Sequence, residues 1–115
     1  MTTQPPADLI PTGRGAAFWG KVTESFDGLG ADEIELLVAS CRSLHVVDAL
    51  TAEVARTGFL VEGKDGPRAN PLLKEQRLTV ESLRHLLRAL ALPDHDDETW
   101  TQRRARTAAK ARHSR

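Results

Sequence analysis

Fifteen residues at the end of this chain, 101–115, hold six Lys+Arg and no Asp or Glu. On a helix over 99–112, Arg103, Arg106 and Lys110 share one face at spacings of three and four, with Arg104 and Arg112 close by. A row of cations free of acids matches the charge of a phosphate backbone. The plainer reading is a solvated tail whose cations suit a helix C-terminus and keep the chain soluble. No aromatic residue alternates with these cations, so the segment offers charge rather than base readout, and Trp100 reads as a packing residue. Arg14 and Lys21 are weaker cationic candidates near the N-terminus.

Other chemistry has less support. Gly58-Phe59-Leu60-Val61-Glu62-Gly63-Lys64-Asp65 nearly spells a phosphate-binding loop. That loop needs Ser or Thr after the lysine and a helix starting there, and here Asp65-Gly66-Pro67 follows. His95, Asp96, Asp97 and Glu98 are potential metal ligands, but consecutive residues do not converge from one helix face. His45 and His85 have no partners at ligand spacing, and no nucleophile–base motif is present. Cys41 is the single cysteine, which excludes an internal disulfide and any multi-cysteine zinc site; it reads as a small buried hydrophobe. The expectation is a non-enzyme without metal or cofactor.

The elements that position these groups must be helices. With 115 residues, 40% hydrophobic, 28% charged and 4% aromatic, the chain is long enough for one domain, whose core must be aliphatic. The formal net charge of zero conceals a body and a tail of opposite sign. Residues 1–100 carry 10 Lys+Arg against 16 Asp+Glu, a balance of −6 that the tail cancels. Met1 to Pro11 lacks the basic start and apolar run of a secretory signal, and no stretch suits a membrane span, so a cytosolic protein with no membrane partner is expected.

Pro5, Pro6, Pro11 and Gly13 predict a flexible arm over 1–13, ahead of a helical core over 14–93. Phe18, Val22 and Phe26 give a short helix with Trp19 beside the stripe, broken by Asp27-Gly28-Leu29-Gly30. A long helix then starts near Asp32 and carries Ile34, Leu37, Val38, Cys41, Leu44, Val47 or Asp48, then Ala52 and Ala55 at helical spacing, stopping at Gly58. A small hairpin near 59–69 turns on Gly63 and Gly66. Asn70-Pro71 opens a third helix, Asn as N-cap and Pro at the first position. Residues 94–115 form an acidic-then-basic last helix or tail. The fold class is mainly α, three to four helices with one short β-hairpin.

On the third helix Leu73, Val80, Leu83, Leu87 and Leu90 follow a heptad stripe that only Gln76 interrupts, with Leu72 and Leu86 widening it. A domain of about three helices does not easily cover every such stripe internally, so these five are candidate oligomerisation residues; an ordinary core helix is the simpler alternative.

A long helix ending at Gly58, a hairpin with Val61, Gly63 and Gly66, Asn70-Pro71, and Leu90-Ala91-Leu92-Pro93 stand in a recognisable order. Over about residues 15–106 the chain resembles the phage terminase small-subunit family that has a valine-glycine hairpin, an Asn-Pro helix start and a Leu-Gly-Leu-Thr-Pro ending. Ala91 stands where the family has glycine, no threonine precedes Pro93, and the arginines follow an acidic insertion. The resemblance implies a non-catalytic, ring-forming homo-oligomer in the host bacterial cytoplasm. Such a subunit recognises the packaging site on double-stranded phage DNA and hands that DNA to the terminase large subunit. Two other classes fit the size and charge: a helical transcriptional regulator binding a palindromic operator as a dimer, and a scaffolding adaptor that binds only protein through its leucine stripe.

Overall fold

In the computed structural model, which describes residues 4–92, the order is α1 (Arg14–Ser25), α2 (Ala31–Thr57), β1 (Leu60–Gly63), β2 (Gly66–Ala69) and α3 (Leu72–Leu90). The mainly helical class with one hairpin is as expected; the acidic-then-basic segment lies outside the described residues.

α2 is the spine, and both other helices pack on it. Gly30 precedes its first turn in extended conformation, and the Glu33 carboxylate accepts the Gly30 N–H at 2.9 Å, which satisfies one of the donors a helix start leaves open. Asp32 and Glu33 also oppose the positive end of the helix dipole. Its buried line is Leu37, Ser40, Cys41, Leu44, Val47 and Val54. Ala52 and Ala55, expected on that line, are exposed, because Val54 takes the inward position near the end. Gly58 ends the helix at φ 91°, where a side chain would be strained.

α1 differs from its expected stripe. Gly15, Trp19 and Val22 form the buried line, while Phe18 and Phe26 pack partly buried at its margin. The cause is Gly15, which lets α1 approach the backbone of α2 beside Cys41 and turns Trp19 fully inward. Burying about 200 Å² of indole surface contributes roughly 5 kcal/mol as an upper bound. Around Trp19 the core collects Leu9, Val22, Leu29, Leu37, Cys41 and Leu90.

Residues 4–13 are not the free arm expected of three prolines and a glycine. Leu9 is buried in the core, the Leu9 and Gly13 N–H groups close turns on the Pro6 and Ile10 carbonyls, and Arg42 holds Asp8 through two hydrogen bonds of 2.9 and 3.2 Å. That guanidinium hydrogen bond also keeps the Asp8 carboxyl below the usual carboxylate range.

The hairpin pairs antiparallel, Leu60 with Ala69 through Gly63 with Gly66, and Gly66 supplies a φ of 112° at the turn. Asn70 then clasps the end of α2 to the start of α3. Its Nδ2 donates to Thr57 Oγ1 and the Gly58 carbonyl, each at 2.9 Å, and its Oδ1 accepts the Leu72 N–H at 3.0 Å. α3 turns Leu72, Gln76, Thr79, Leu83, Leu86 and Leu90 away from bulk solvent. Gln76 is admissible on that face because its Nε2 donates to Thr51 Oγ1 of α2 at 2.7 Å.

Candidate nucleic-acid interface

The strongest sequence candidates, Arg103, Arg104, Arg106, Lys110 and Arg112, lie outside the described residues, as does the His95–Glu98 group. The two weaker ones separate. Arg14 opens α1 and is held by Asp48 of α2 through a forked pair, Nε to Oδ2 at 3.2 Å and Nη2 to Oδ1 at 2.8 Å. Its charge is thus matched within the fold. Lys21, on the exposed face of α1, has no ion-pair partner among the described residues.

The heptad stripe of α3 splits in the same way. Leu90 is 1% exposed and belongs to the core cluster that also holds Trp19, Val22 and Leu37, so it is not available as an oligomerisation residue. Leu73 and Leu83 are half-buried, whereas Val80 and Leu87 are 37% and 38% exposed. Leu73, Val80 and Leu87, seven residues apart, form the flank of the packed face rather than its centre. Two further apolar groups, Phe59 at 73% and Leu60 at 66% exposure, stand out at the base of the hairpin. Between α2 and α3 an open groove of about 340 Å³ is floored by Val46 and Leu78 and edged by Arg42, Ser43, Thr79 and Ser82.

Sequence reasoning missed a feature of α3. Lys74, Arg77, Arg84 and Arg88 are all exposed, and at 100° per residue they fall within an arc of roughly 80°. The spacing signal was in the chain, but the leucines on the same helix and the denser cations of the tail masked it. Arg84 Nη1 meets Glu81 at 3.2 Å; Lys74, Arg77 and Arg88 make no ion pair among the described residues.

Residues 58–65, the near phosphate loop, form the hairpin strand and its turn, with β2 following where such a loop needs a helix. Among the described residues no three His, Cys, Asp or Glu side chains gather as a metal-ligand set. Cys41 is buried, and that desolvation pushes its thiol up to about 11, which leaves little nucleophilic thiolate at neutral pH. No helix among the described residues is long and apolar enough to cross a membrane. Searches against protein-family models, characterised proteins and solved structures find no match for this chain.

Proposed function

We propose that this chain is the small subunit of a phage DNA-packaging terminase. In this reading it is a non-catalytic homo-oligomer of the host bacterial cytoplasm that binds double-stranded DNA at the packaging site and delivers it to the large ATPase and nuclease subunit. The observation that supports the reading best is the backbone of Ala91. Among the described residues it is the single non-glycine residue with positive φ, at φ 55° and ψ 45°, and its N–H closes the end of α3 on the Leu87 carbonyl at 3.0 Å. This left-handed cap costs an alanine about 1 kcal/mol and a glycine almost nothing. The position at which the resembled Leu-Gly-Leu-Thr-Pro phrase carries glycine is therefore a position whose geometry calls for glycine.

Self-association follows from the surface left over. Val80 and Leu87 on α3, with Phe59 and Leu60 at the hairpin, are apolar groups that a single copy leaves open to solvent, and Leu73 beside them is only half-buried. A cyclic arrangement would cover them and carry one basic tail per subunit to the DNA.

The test is a truncation after Trp100. The full chain is expected to bind a mixed-sequence duplex with affinity that falls steeply with salt, the six tail cations contributing a slope of about −5 at roughly 0.9 per neutralised phosphate. The truncated chain is expected to lose most of that slope. Equal affinity and equal salt dependence in the two forms would remove the tail as the DNA contact.

A further inference from the structure

We infer that the exposed face of α3 carrying Lys74, Arg77, Arg84 and Arg88 is a second contact surface for the phosphates of duplex DNA, built into the folded body and distinct from the tail. The inference rests on the DNA-binding reading above.

The charge of the described residues is unevenly placed. Residues 4–71 hold six Lys+Arg (Arg14, Lys21, Arg42, Arg56, Lys64 and Arg68) against ten Asp+Glu, and Arg14, Arg42 and Arg56 are each paired with an acid. α3 reverses the balance, with four cations against Glu75 and Glu81. Of the six cations without an ion pair among the described residues, three (Lys74, Arg77 and Arg88) share one face of α3, and a clustered set of this kind sets up a local positive potential that attracts a polyanion more than the same charges scattered.

Geometry supports the same ligand. From Lys74 to Arg88 the stripe extends about 21 Å along the helix axis, at 1.5 Å per residue. A stretch of duplex that long carries about a dozen phosphate charges. The stripe has the form of a line of cations, which suits a charged rod better than a compact anion. Glu81 interrupts it, but Arg84 already engages that carboxylate, so the repulsion it offers a phosphate is reduced. The centre of the basic arc lies roughly 75° around the helix from that of Leu73, Val80 and Leu87, at 100° per residue, so a subunit contact centred on the apolar strip leaves its far side, Lys74 and Arg88, accessible. A Lys or Arg on this stripe holds its aliphatic stem along the helix and its charge in water, the disposition a phosphate contact needs.

The experiment uses the full-length chain and a fluorophore-labelled mixed-sequence DNA duplex, with affinity followed by anisotropy from about 50 to about 200 mM salt. The variants are K74Q/R77Q/R88Q, which removes three charges, K74E/R77E/R88E, which reverses them, and K74R/R77K/R88K, which keeps them. Arg84 is left in place because it partners Glu81. Three lost phosphate contacts flatten the salt slope by about 2.7, so across this range the parent chain is expected to lose roughly 40-fold more affinity than the Gln variant. The Glu variant is expected to bind weaker still, and the charge-conserving variant to match the parent. All three sites are exposed, and the Gln variant introduces no new charge, so it decides the outcome if the Glu variant does not fold. A parent chain that binds duplex while the Gln variant keeps its full slope overturns the α3 surface and leaves the DNA-binding reading standing. A parent chain that ignores duplex even at the lowest salt overturns both.

Discussion

Replacing Gly15 with alanine is expected to lower the melting temperature by about 12 °C or more, whereas the same change at Gly20 raises it by a few degrees. Both glycines lie within α1, and alanine is the better helix former by about 1 kcal/mol at either position, so propensity alone predicts two stabilised variants. Packing separates them. A Cβ at Gly15 would collide with the backbone carbonyl oxygen of Cys41, with Leu9 Cδ2 at 3.5 Å, while a Cβ at Gly20 meets nothing within 4 Å. The obstacle at Gly15 is the main chain of α2, which cannot rotate aside like a side chain. α1 must instead lift off, loosening Trp19 and Val22 from the core. Overpacking of this kind costs about 3 kcal/mol, and each kcal/mol moves the melting point of a domain this size by about 4–8 °C. Thermal denaturation of both variants at one fixed protein concentration checks the prediction, because the proposed self-association would couple melting to concentration. A Gly15→Ala variant as stable as the parent would mean that α1 does not cross α2 at this point.

The second large effect belongs to Asn70, which is 4% exposed and whose side chain carries three hydrogen bonds. Asn70→Ala removes them together and leaves the Gly58 carbonyl, the Thr57 hydroxyl oxygen and the Leu72 N–H without that partner. At about 1 kcal/mol each, the loss is about 3 kcal/mol. Asn70→Asp separates a cap from a clasp. Aspartate is as good an N-cap as asparagine and keeps the bond to the Leu72 N–H. It has no N–H to give the Gly58 carbonyl, and the Thr57 hydroxyl hydrogen is already donated to the Glu53 carbonyl at 2.8 Å. The Asp variant is therefore expected to melt close to the Ala variant in a urea or thermal titration. Recovery of parent stability by Asp would reduce Asn70 to an ordinary cap.

These two residues also mark how far the sequence could be read. Asn70-Pro71 was visible as a helix start because Asn and Pro have strong positional preferences, and the stop at Gly58 and the turn at Gly63 and Gly66 were visible for the same reason. The second role of Asn70 was not visible, since its partners Thr57 and Gly58 come from an element whose position only the fold sets. Leu9 was hidden among prolines, and one leucine has no periodicity to announce that it is core. On α1 a stripe of phenylalanines outweighed Trp19, because the pattern carries no information about where a glycine admits a neighbouring backbone. On α3 the heptad of leucines reads as one face, yet a straight helix drifts about 20° per heptad. The packed face follows Leu72, Gln76, Thr79, Leu83, Leu86 and Leu90, which leaves Val80 and Leu87 at its margin and takes Leu90 inside. The basic stripe beside it was legible in principle, from Lys74, Arg77, Arg84 and Arg88 at spacings of three, seven and four.

The central claim is that copies of this chain assemble and hold duplex DNA together. Native mass spectrometry of the full chain, alone and mixed with a short duplex, measures both properties at once. The account predicts a closed species of more than four 12.6 kDa subunits that gains the mass of a duplex and sheds it as salt is raised. A spectrum showing only single 12.6 kDa chains at micromolar concentration, with and without DNA, would contradict it.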